Sequence, residues 1–573
     1  MQKRWFVKTP LERTTVDSFR SILKVDPVVS EILLQRGIDS FHKAEAFFRP
    51  KLADLHDPFL MKDLELAAKR LSQAIRDGER ILLYGDYDVD GTTAVALLYT
   101  FLKAHTDQLD FYIPDRYAEG YGLSKTGIEY AIQEKIDLLI TLDCGVKANE
   151  QIAYARTNGI DVIVCDHHTP GEQLPDALVL DPKRSDDTYP YKELSGCGVG
   201  FKLLQGLCAM EGWNLDALFE LLDLLALSIG ADIVELTGEN RILAFHGLRL
   251  LNEQPRTAFK EMLVLAKRTF PVNLTDVVFT IAPRINAAGR LRSGKYAVEL
   301  MISNNADEIR QLAADIDADN TERRLLDQEI TEEALALIEN QQEDRSANVV
   351  FSPNWHKGVV GIVASRIIEK HYKPTIVLTE SNGEVVGSAR SVHGFDIHQA
   401  IDACSELLEQ FGGHMYAAGL TLKHENLAAF STRFEEVVQR SLAKDLRIEE
   451  QIVDLELTFD QLFQPEENRM KLPKLKRILK QLEPHGPGNM KPVFVSRNVF
   501  ATDIRVLKEA HLKLQVVQPP HDLVVEAIGF NMADKIDEVA AGIPFEMVYT
   551  LESNRWNGKE TLQMNIKDLR AMV

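Results

Sequence analysis

Three short apolar runs in this chain each end abruptly on acids or imidazoles. Ile81–Gly85 runs into Asp86-Tyr87-Asp88-Val89-Asp90-Gly91, Leu138–Leu142 into Asp143-Cys144-Gly145, and Val162-Ile163-Val164-Cys165 into Asp166-His167-His168. Continuous apolar runs of this length, alternating with helical patterns such as 127–135 and 150–158, predict buried strands of a parallel sheet. The alternation holds from about 75 to 235 and predicts βαβ units.

Other stretches read differently. Residues 1–70 are predicted helical, with the apolar 28–34 stopped at Arg36-Gly37. Residues 240–300 look mostly helical and close on Ala282-Pro283-Arg284-Ile285-Asn286-Ala287-Ala288-Gly289-Arg290. The stretch 306–343 contains no Gly or Pro and is rich in Asp, Glu, Arg, Leu and Ala, which predicts one long solvated helix bridging two halves of the molecule. A second α/β region begins at Val349-Val350-Phe351. Beyond about Glu449, short alternating segments such as Leu512-Lys513-Leu514-Gln515-Val516-Val517 predict a small β-barrel punctuated by Pro487-Gly488 and Pro519-Pro520. The expected organisation is an N-terminal helical region (1–70), a parallel-sheet domain (71–305), a connecting helix (306–345), a second α/β domain (346–448) and a β-barrel (449–573).

Composition narrows the class. The chain has 573 residues, 45% hydrophobic and 26% charged, enough for roughly three or four domains. No stretch is apolar enough to predict a signal peptide or membrane span, and five cysteines without a C-x-x-C pair suit a reducing cytoplasm. A net charge of −21 argues against broad nonspecific nucleic-acid binding but leaves room for a local basic channel.

Ligands of an open α/β sheet bind beyond the carboxyl ends of its strands. If the three strands are neighbours, up to five carboxylates and two imidazoles converge there, and such a charge needs cations. Asp86, Asp88 and Asp90 alternate like a calcium loop, but no Glu stands at the twelfth position. Mixed Asp and His ligation favours Mn²⁺, or Mg²⁺ with fewer imidazole contacts, over a thiolate zinc site. Alone, the alternating acids also suit a solvated turn; the two further strand ends make a metal site the better reading. In the second α/β region, glycines of His356-Lys357-Gly358-Val359-Val360-Gly361, with Gly387-Ser388-Ala389-Arg390 and Gly412-Gly413-His414, suit close approach of a phosphate with Arg390 donating. His393 and His398 read as structural.

The DYDVDG, LDCG and DHH segments, in this order, resemble the DHH phosphoesterase superfamily, and SIGADIVEL matches its fourth motif. The resemblance implies that Asp90, Asp143, His167 and Asp232 hold one divalent ion, that Asp88 and Asp143 help hold a second with Asp86 nearby, and that His168 is a catalytic imidazole near the scissile phosphate. From the residues alone, Asp232 reads as a surface acid after an apolar helix. The second region resembles the DHH-associated domain, which implies substrate contacts from Ser388, Arg390 and His414 across a cleft, joined by Arg290 with Arg284 as its competitor. The full arrangement, with APRINAAGR, HKGVVGIVASR, GSARS, FGGH and GPGNMKPVF, is similar to the superfamily's bacterial single-strand exonucleases. That implies an α/β multidomain fold with an OB-like C-terminal barrel, and candidate DNA contacts at Phe494, Arg497, Phe500, Lys508 and Lys513. The implied activity is 5′-to-3′ hydrolysis of single-stranded DNA to mononucleotides in repair and recombination, with two Mn²⁺ or Mg²⁺ ions. The implied enzyme is a cytoplasmic monomer, with a helicase and a single-stranded-DNA-binding protein as candidate partners. The alternative is a phosphodiesterase for short oligonucleotides or cyclic dinucleotides.

Overall fold

The structure is a computed structural model that describes residues 3–340, 345–462, 472–520, 522–540, 542–556 and 559–572. The chain forms two compact units, one of residues 9–319 with 454–573 and the other of residues 1–8 with 320–453.

In the larger unit the apolar runs are strands of a five-stranded, all-parallel sheet. Its spatial order is Leu109–Tyr112, Ile81–Gly85, Leu138–Leu142, Asp161–Cys165, Leu178–Leu180. Both faces are covered. Ile81 and Leu83 enter a core shared with helices Val89–Leu102 and Gly196–Glu211, while Leu82 and Tyr84 enter another with helices Lys125–Gln133 and Asn149–Thr157. This double burial explains why the strands read as continuous rather than alternating apolar runs. The chain leaves Ile81–Gly85 toward one edge and later returns to its other side with Leu138–Leu142. The order therefore reverses between these two strands, where open α/β sheets form a ligand crevice. Helices from Leu222–Ala231 to Lys295–Ile302 extend the same core.

The C-terminal part of this unit is a closed five-stranded barrel. Phe494–Leu507 pairs with both His511–Val517 and Phe545–Trp556, and Lys559–Ala571 joins Val525–Gly529 to Phe545–Trp556. Leu455–Glu456 adds a short sixth strand beside Phe494 and Val495, and the barrel core also takes Val29, Ile32 and Leu33 from the N-terminal helices.

The smaller unit is built on a five-stranded mixed sheet in the order Gln410–His414, Ala417–Leu422, Glu384–Arg390, Thr375–Ser381, Asn348–Phe351. The first residues depart from the all-helical reading of 1–70: Arg4–Val7 is a strand, paired in parallel with Glu450–Val453. The long helix spans Ala306–Glu339; residues 341–343 of the expected stretch lie outside the described residues. It is less solvated than its composition suggests. Ile309, Ala313 and Ile316 are buried in the core of the larger unit, and Ile330, Ala334 and Leu335 against Trp355 and Val363 in the smaller.

Candidate metal centre

The strand ends deliver their acids to one place. Asp86, Asp88 and Asp143 bring one carboxylate oxygen each within 4.8 Å of one another, and so do Asp90, His167 and Asp232 with their ligand atoms. The His167 Nε2 atom lies 3.1 Å from Asp143 Oδ1, 3.4 Å from Asp232 Oδ2 and 3.8 Å from Asp90 Oδ2. Asp86, Asp88, Asp90, Asp143, His167 and Asp232 therefore converge, and Asp143 links the two groups.

Each side chain is aimed by its local structure. Asp88 caps helix Val89–Leu102, with one oxygen accepting from Gly91 N at 3.1 Å. Asp90, two residues on, is gripped by the start of helix Gly196–Glu211: Gly196 N donates to Oδ2 (2.6 Å), and Cys197 N donates to Oδ1 (2.8 Å). Ser228 Oγ adds a third donor at 2.7 Å. Amides at a helix start favour an anion, which holds Asp90 in place without side-chain cations. Asp143 has a left-handed backbone, φ 59°, tolerated by Asp better than by most residues. Its carboxylate lies against Gly196, where an added Cβ would stand 2.6 Å from Asp143 Cβ.

Asp166 does something else than the strand pattern suggests. Its two oxygens accept from Val146 N, His167 N, His168 N and His168 Nδ1, the last at 2.7 Å. It braces the His167 backbone and the His168 imidazole. On the far side of His168, Nε2 lies 2.9 Å from the Tyr121 hydroxyl.

The electrostatics are those of a site built for cations. Burial, then repulsion from neighbouring carboxylates, pushes Asp86, Asp143 and Asp232 well above the ordinary carboxylate range, and Asp88 upward as well. Burial holds His167 below the usual imidazole value, which keeps a lone pair available. For His168 burial works the same way, but the Asp166 hydrogen bond and nearby acids outweigh it and raise the ring to about 9. Asp86 Oδ2, Asp143 Oδ1 and His167 Nε2 are buried without a hydrogen-bond partner. Orphaned polar atoms of this kind, all oxygen or imidazole nitrogen, fit Mn²⁺ or Mg²⁺ and supply no thiolate. The buried Cys144 and Cys197 beside the acids are pushed upward and stay as thiols.

Two residues near the cluster escaped the sequence reading. Asp181, after Leu178–Leu180, is a fourth strand-end acid, fully buried and raised to about 7 by burial. Its signal was the same apolar-run-then-Asp pattern in a strand of only three residues. Tyr121 carried no signal.

The expected phosphate-binding residues fall in both units. Arg290 lies in the larger one, where its carbonyl accepts from the Tyr117 hydroxyl at 2.5 Å. Arg284, its competitor, is buried and committed to Asp317 (2.8 Å) and the Thr280 carbonyl (2.6 Å), which is a structural role. In the smaller unit Arg390 Nη1 donates to Ser388 Oγ at 2.9 Å. Gly361, in the first turn of helix Val360–Lys370, packs against both: a Cβ there would stand 2.9 Å from Arg390 Nη2 and from Ser388 Oγ. His414 pairs across the sheet with Ala417, which pairs in turn with Arg390. In the barrel, Phe494 is wholly buried and unavailable for base stacking, and Arg497 is held by Glu456 and Glu546. Lys513 lies 3.5 Å from Glu526, while Phe500 and Lys508 stay outside the barrel core.

The model of the DHH family, N-terminal domain, matches residues 80–229, that of the DHHA1 domain residues 344–440, and that of the RecJ OB domain residues 453–568. The chain is 37% identical over 571 residues to the single-stranded-DNA-specific exonuclease RecJ of Bacillus subtilis, covering 99% of this chain and 70% of that one. It is 32% identical over 582 residues to the Escherichia coli protein of the same name, covering 98% of each. Among solved structures, RecJ from Thermus thermophilus in complex with Mn²⁺ superposes with a TM-score of 0.84 at 29% identity, over 99% of this chain and 79% of that one.

Proposed function

The chain belongs to the family of the single-stranded-DNA-specific exonuclease RecJ, and we propose that it removes nucleotides from the 5′ end of single-stranded DNA by hydrolysis at the strand-end carboxylate cluster. The observation that carries this reading is the convergence of Asp86, Asp88, Asp90, Asp143, His167 and Asp232, with buried oxygens and an imidazole nitrogen left without partners.

Asp90, Asp143, His167 and Asp232 would hold one divalent ion, and Asp86, Asp88 and Asp143 a second. Bound there, Mn²⁺ or Mg²⁺ would acidify a water and neutralise charge on the phosphoryl oxygens. The chain's own residues do the rest. The helix start at Gly196 and Ser228 keep Asp90 fixed as charge changes in front of it. His168, its Nδ1 2.7 Å from Asp166, is placed to donate a proton toward a phosphate oxygen. Arg290, Ser388, Arg390 and His414 would bind the backbone of the strand, consistent with low sequence specificity. Residues of the barrel other than the buried Phe494 would extend the contact.

The same reading makes the products mononucleotides and the role DNA repair and recombination. It places a monomer in the cytoplasm; its five cysteines are buried and free of disulfides, and no described helix is long and apolar enough to cross a membrane. A helicase would supply unwound strand, and a single-stranded-DNA-binding protein would share it.

The test uses single-stranded DNA labelled at one end or the other, with duplex DNA and a cyclic dinucleotide as comparisons. Release of the 5′ label as a mononucleotide, before any 3′ label and only with Mn²⁺ or Mg²⁺, is expected. Faster cleavage of the cyclic dinucleotide would replace this reading with the phosphodiesterase one.

A further inference from the structure

Away from the metal centre, the larger unit contains a second cavity of about 350 Å³. Its walls come from the N-terminal helices (Arg36, Lys43, Phe47), the start of helix Gly238–Glu253 and the turn at Gly488-Asn489.

Two arginines line it, and among the described residues neither forms a salt bridge to an acid. Arg241 is almost wholly buried, yet its guanidinium donates only to the carbonyls of Phe47, Leu482, Glu483 and Pro484, at 3.1–3.3 Å. Its plane lies over the Phe47 ring, 3.7 Å from the centroid. Arg36 donates to Asn489 Oδ1 and to the Met490 carbonyl, again neutral oxygens. Asp454 acts on Arg36 electrostatically and offsets part of the effect of burial. Burial depresses both guanidinium groups, Arg36 to about 10 and Arg241 to about 9, with repulsion by Arg36 adding to the second. Three other charged side chains line the cavity. Lys43 pairs with Asp39, Glu239 pairs with the buried Lys202, and Asp54 is exposed at the rim.

A third observation points the same way. Helix Gly238–Glu253 has Thr237 at its N-cap, but no side chain caps it, and its first residues line the cavity. Uncapped amides at the start of a 16-residue helix attract an anion. Ile38, Pro50 and Ile242 add an apolar wall to the lining. A small anion attached to a ring satisfies both surfaces, and the volume lies within the range of small-molecule sites.

We propose that this cavity is a second ligand site, separate from the metal centre, that takes a phosphate monoester carrying a ring, a deoxynucleoside monophosphate fitting it best. The phosphate sits between Arg36, the start of the helix and the remaining N–H of Arg241, and the base or sugar lies on the apolar wall. The wall segment Leu236-Thr237-Gly238 closely follows Asp232, and Leu236 N is tied to the Pro487 carbonyl at 2.7 Å. A ligand held here therefore braces the segment that carries a metal-site carboxylate.

The test is isothermal titration of the 573-residue chain in chelator with deoxyadenosine monophosphate, inorganic phosphate or deoxyadenosine. The monophosphate should bind at one site that persists in Arg390→Gln, with inorganic phosphate about tenfold weaker and deoxyadenosine weaker still. Arg36→Gln should weaken the monophosphate by at least about tenfold. Ala46→Trp, placed at the exposed rim where folding is insensitive to it, should block binding with an unchanged melting temperature. No binding to the wild type, binding that survives both Arg36→Gln and Ala46→Trp, or binding lost in Arg390→Gln would overturn the site. Phosphate binding as tightly as the nucleotide would overturn the ring-bearing ligand.

Discussion

Gly196→Ala adds a single methyl group and should disable the metal centre. The new Cβ would lie 2.6 Å from Asp143 Cβ, 2.7 Å from Oδ1 and 2.8 Å from Cα. Carbon contacts relax only near about 3.5–4.0 Å, so something must move by roughly 1 Å. Neither partner yields easily: Asp143 is fixed in a left-handed conformation with its N–H on the Cys165 carbonyl, and Gly196 N is bound to Asp90. Overpacking of this kind costs about 1–3 kcal/mol, while replacing a helical Gly by Ala returns only about 1 kcal/mol. The groups displaced are metal-site acids, so cation affinity should fall by about 5- to 150-fold. A 1 Å misplacement should also lower turnover by about 100-fold. The assay is label release against Mn²⁺ concentration, with thermal melting alongside and Gly198→Ala as the comparison. At Gly198 the added Cβ meets nothing closer than 3.3 Å, so that variant should keep its activity. Wild-type turnover and Mn²⁺ dependence in Gly196→Ala would refute the idea that this helix start positions Asp143 and Asp90.

Other changes separate structural from chemical roles. Ser228→Ala removes a donor to Asp90 and should weaken Mn²⁺ binding by about 10- to 100-fold with little change in melting; equal Mn²⁺ half-saturation would count against it. Arg284→Met should lower the melting temperature, at a cost of about 1–3 kcal/mol for Asp317 left half-buried, and leave KM unchanged. Arg290→Met should do the reverse, and swapped results would exchange their roles. His485 is held near 3 by burial, below its ordinary 6.5. Between those values the unfolded chain binds a proton that the folded chain refuses, so stability should decline as pH falls from about 6.5 toward 3. His485→Gln should flatten that decline in denaturant titrations, and an unaltered slope would remove His485 as its source.

Much of the carboxylate and imidazole cluster was legible because strand burial and strand-end acids leave a linear trace. Asp86, Asp143 and Asp166 each follow a run that nothing but a buried strand explains. What the line of residues could not show is direction. Asp166 has the same local pattern as Asp143, yet its oxygens are consumed by Val146, His167 and His168, and only the three-dimensional course of the loop decides that. Asp181 was missed because its strand is too short to stand out, and Tyr121 because a Tyr in a glycine-rich loop has no periodicity. The grip of Gly196 and Ser228 on Asp90 spans more than a hundred residues of chain and leaves no local mark. Arg284 and Arg290 differ by one and a half helical turns, and packing against Asp317 separates them. The long helix misled in another way: its charged composition hides apolar positions that pack into both units.

The most direct measurement counts bound cations. Chelator-treated wild-type protein and Asp143→Asn are titrated with Mn²⁺ by electron paramagnetic resonance while label release from single-stranded DNA is followed in the same samples. Two Mn²⁺ per wild-type chain, turnover rising with occupancy, and loss of both the second ion and turnover in Asp143→Asn are expected. Hydrolysis at full rate in excess chelator, or Asp143→Asn with wild-type occupancy and turnover, would contradict a two-cation centre at these strand ends.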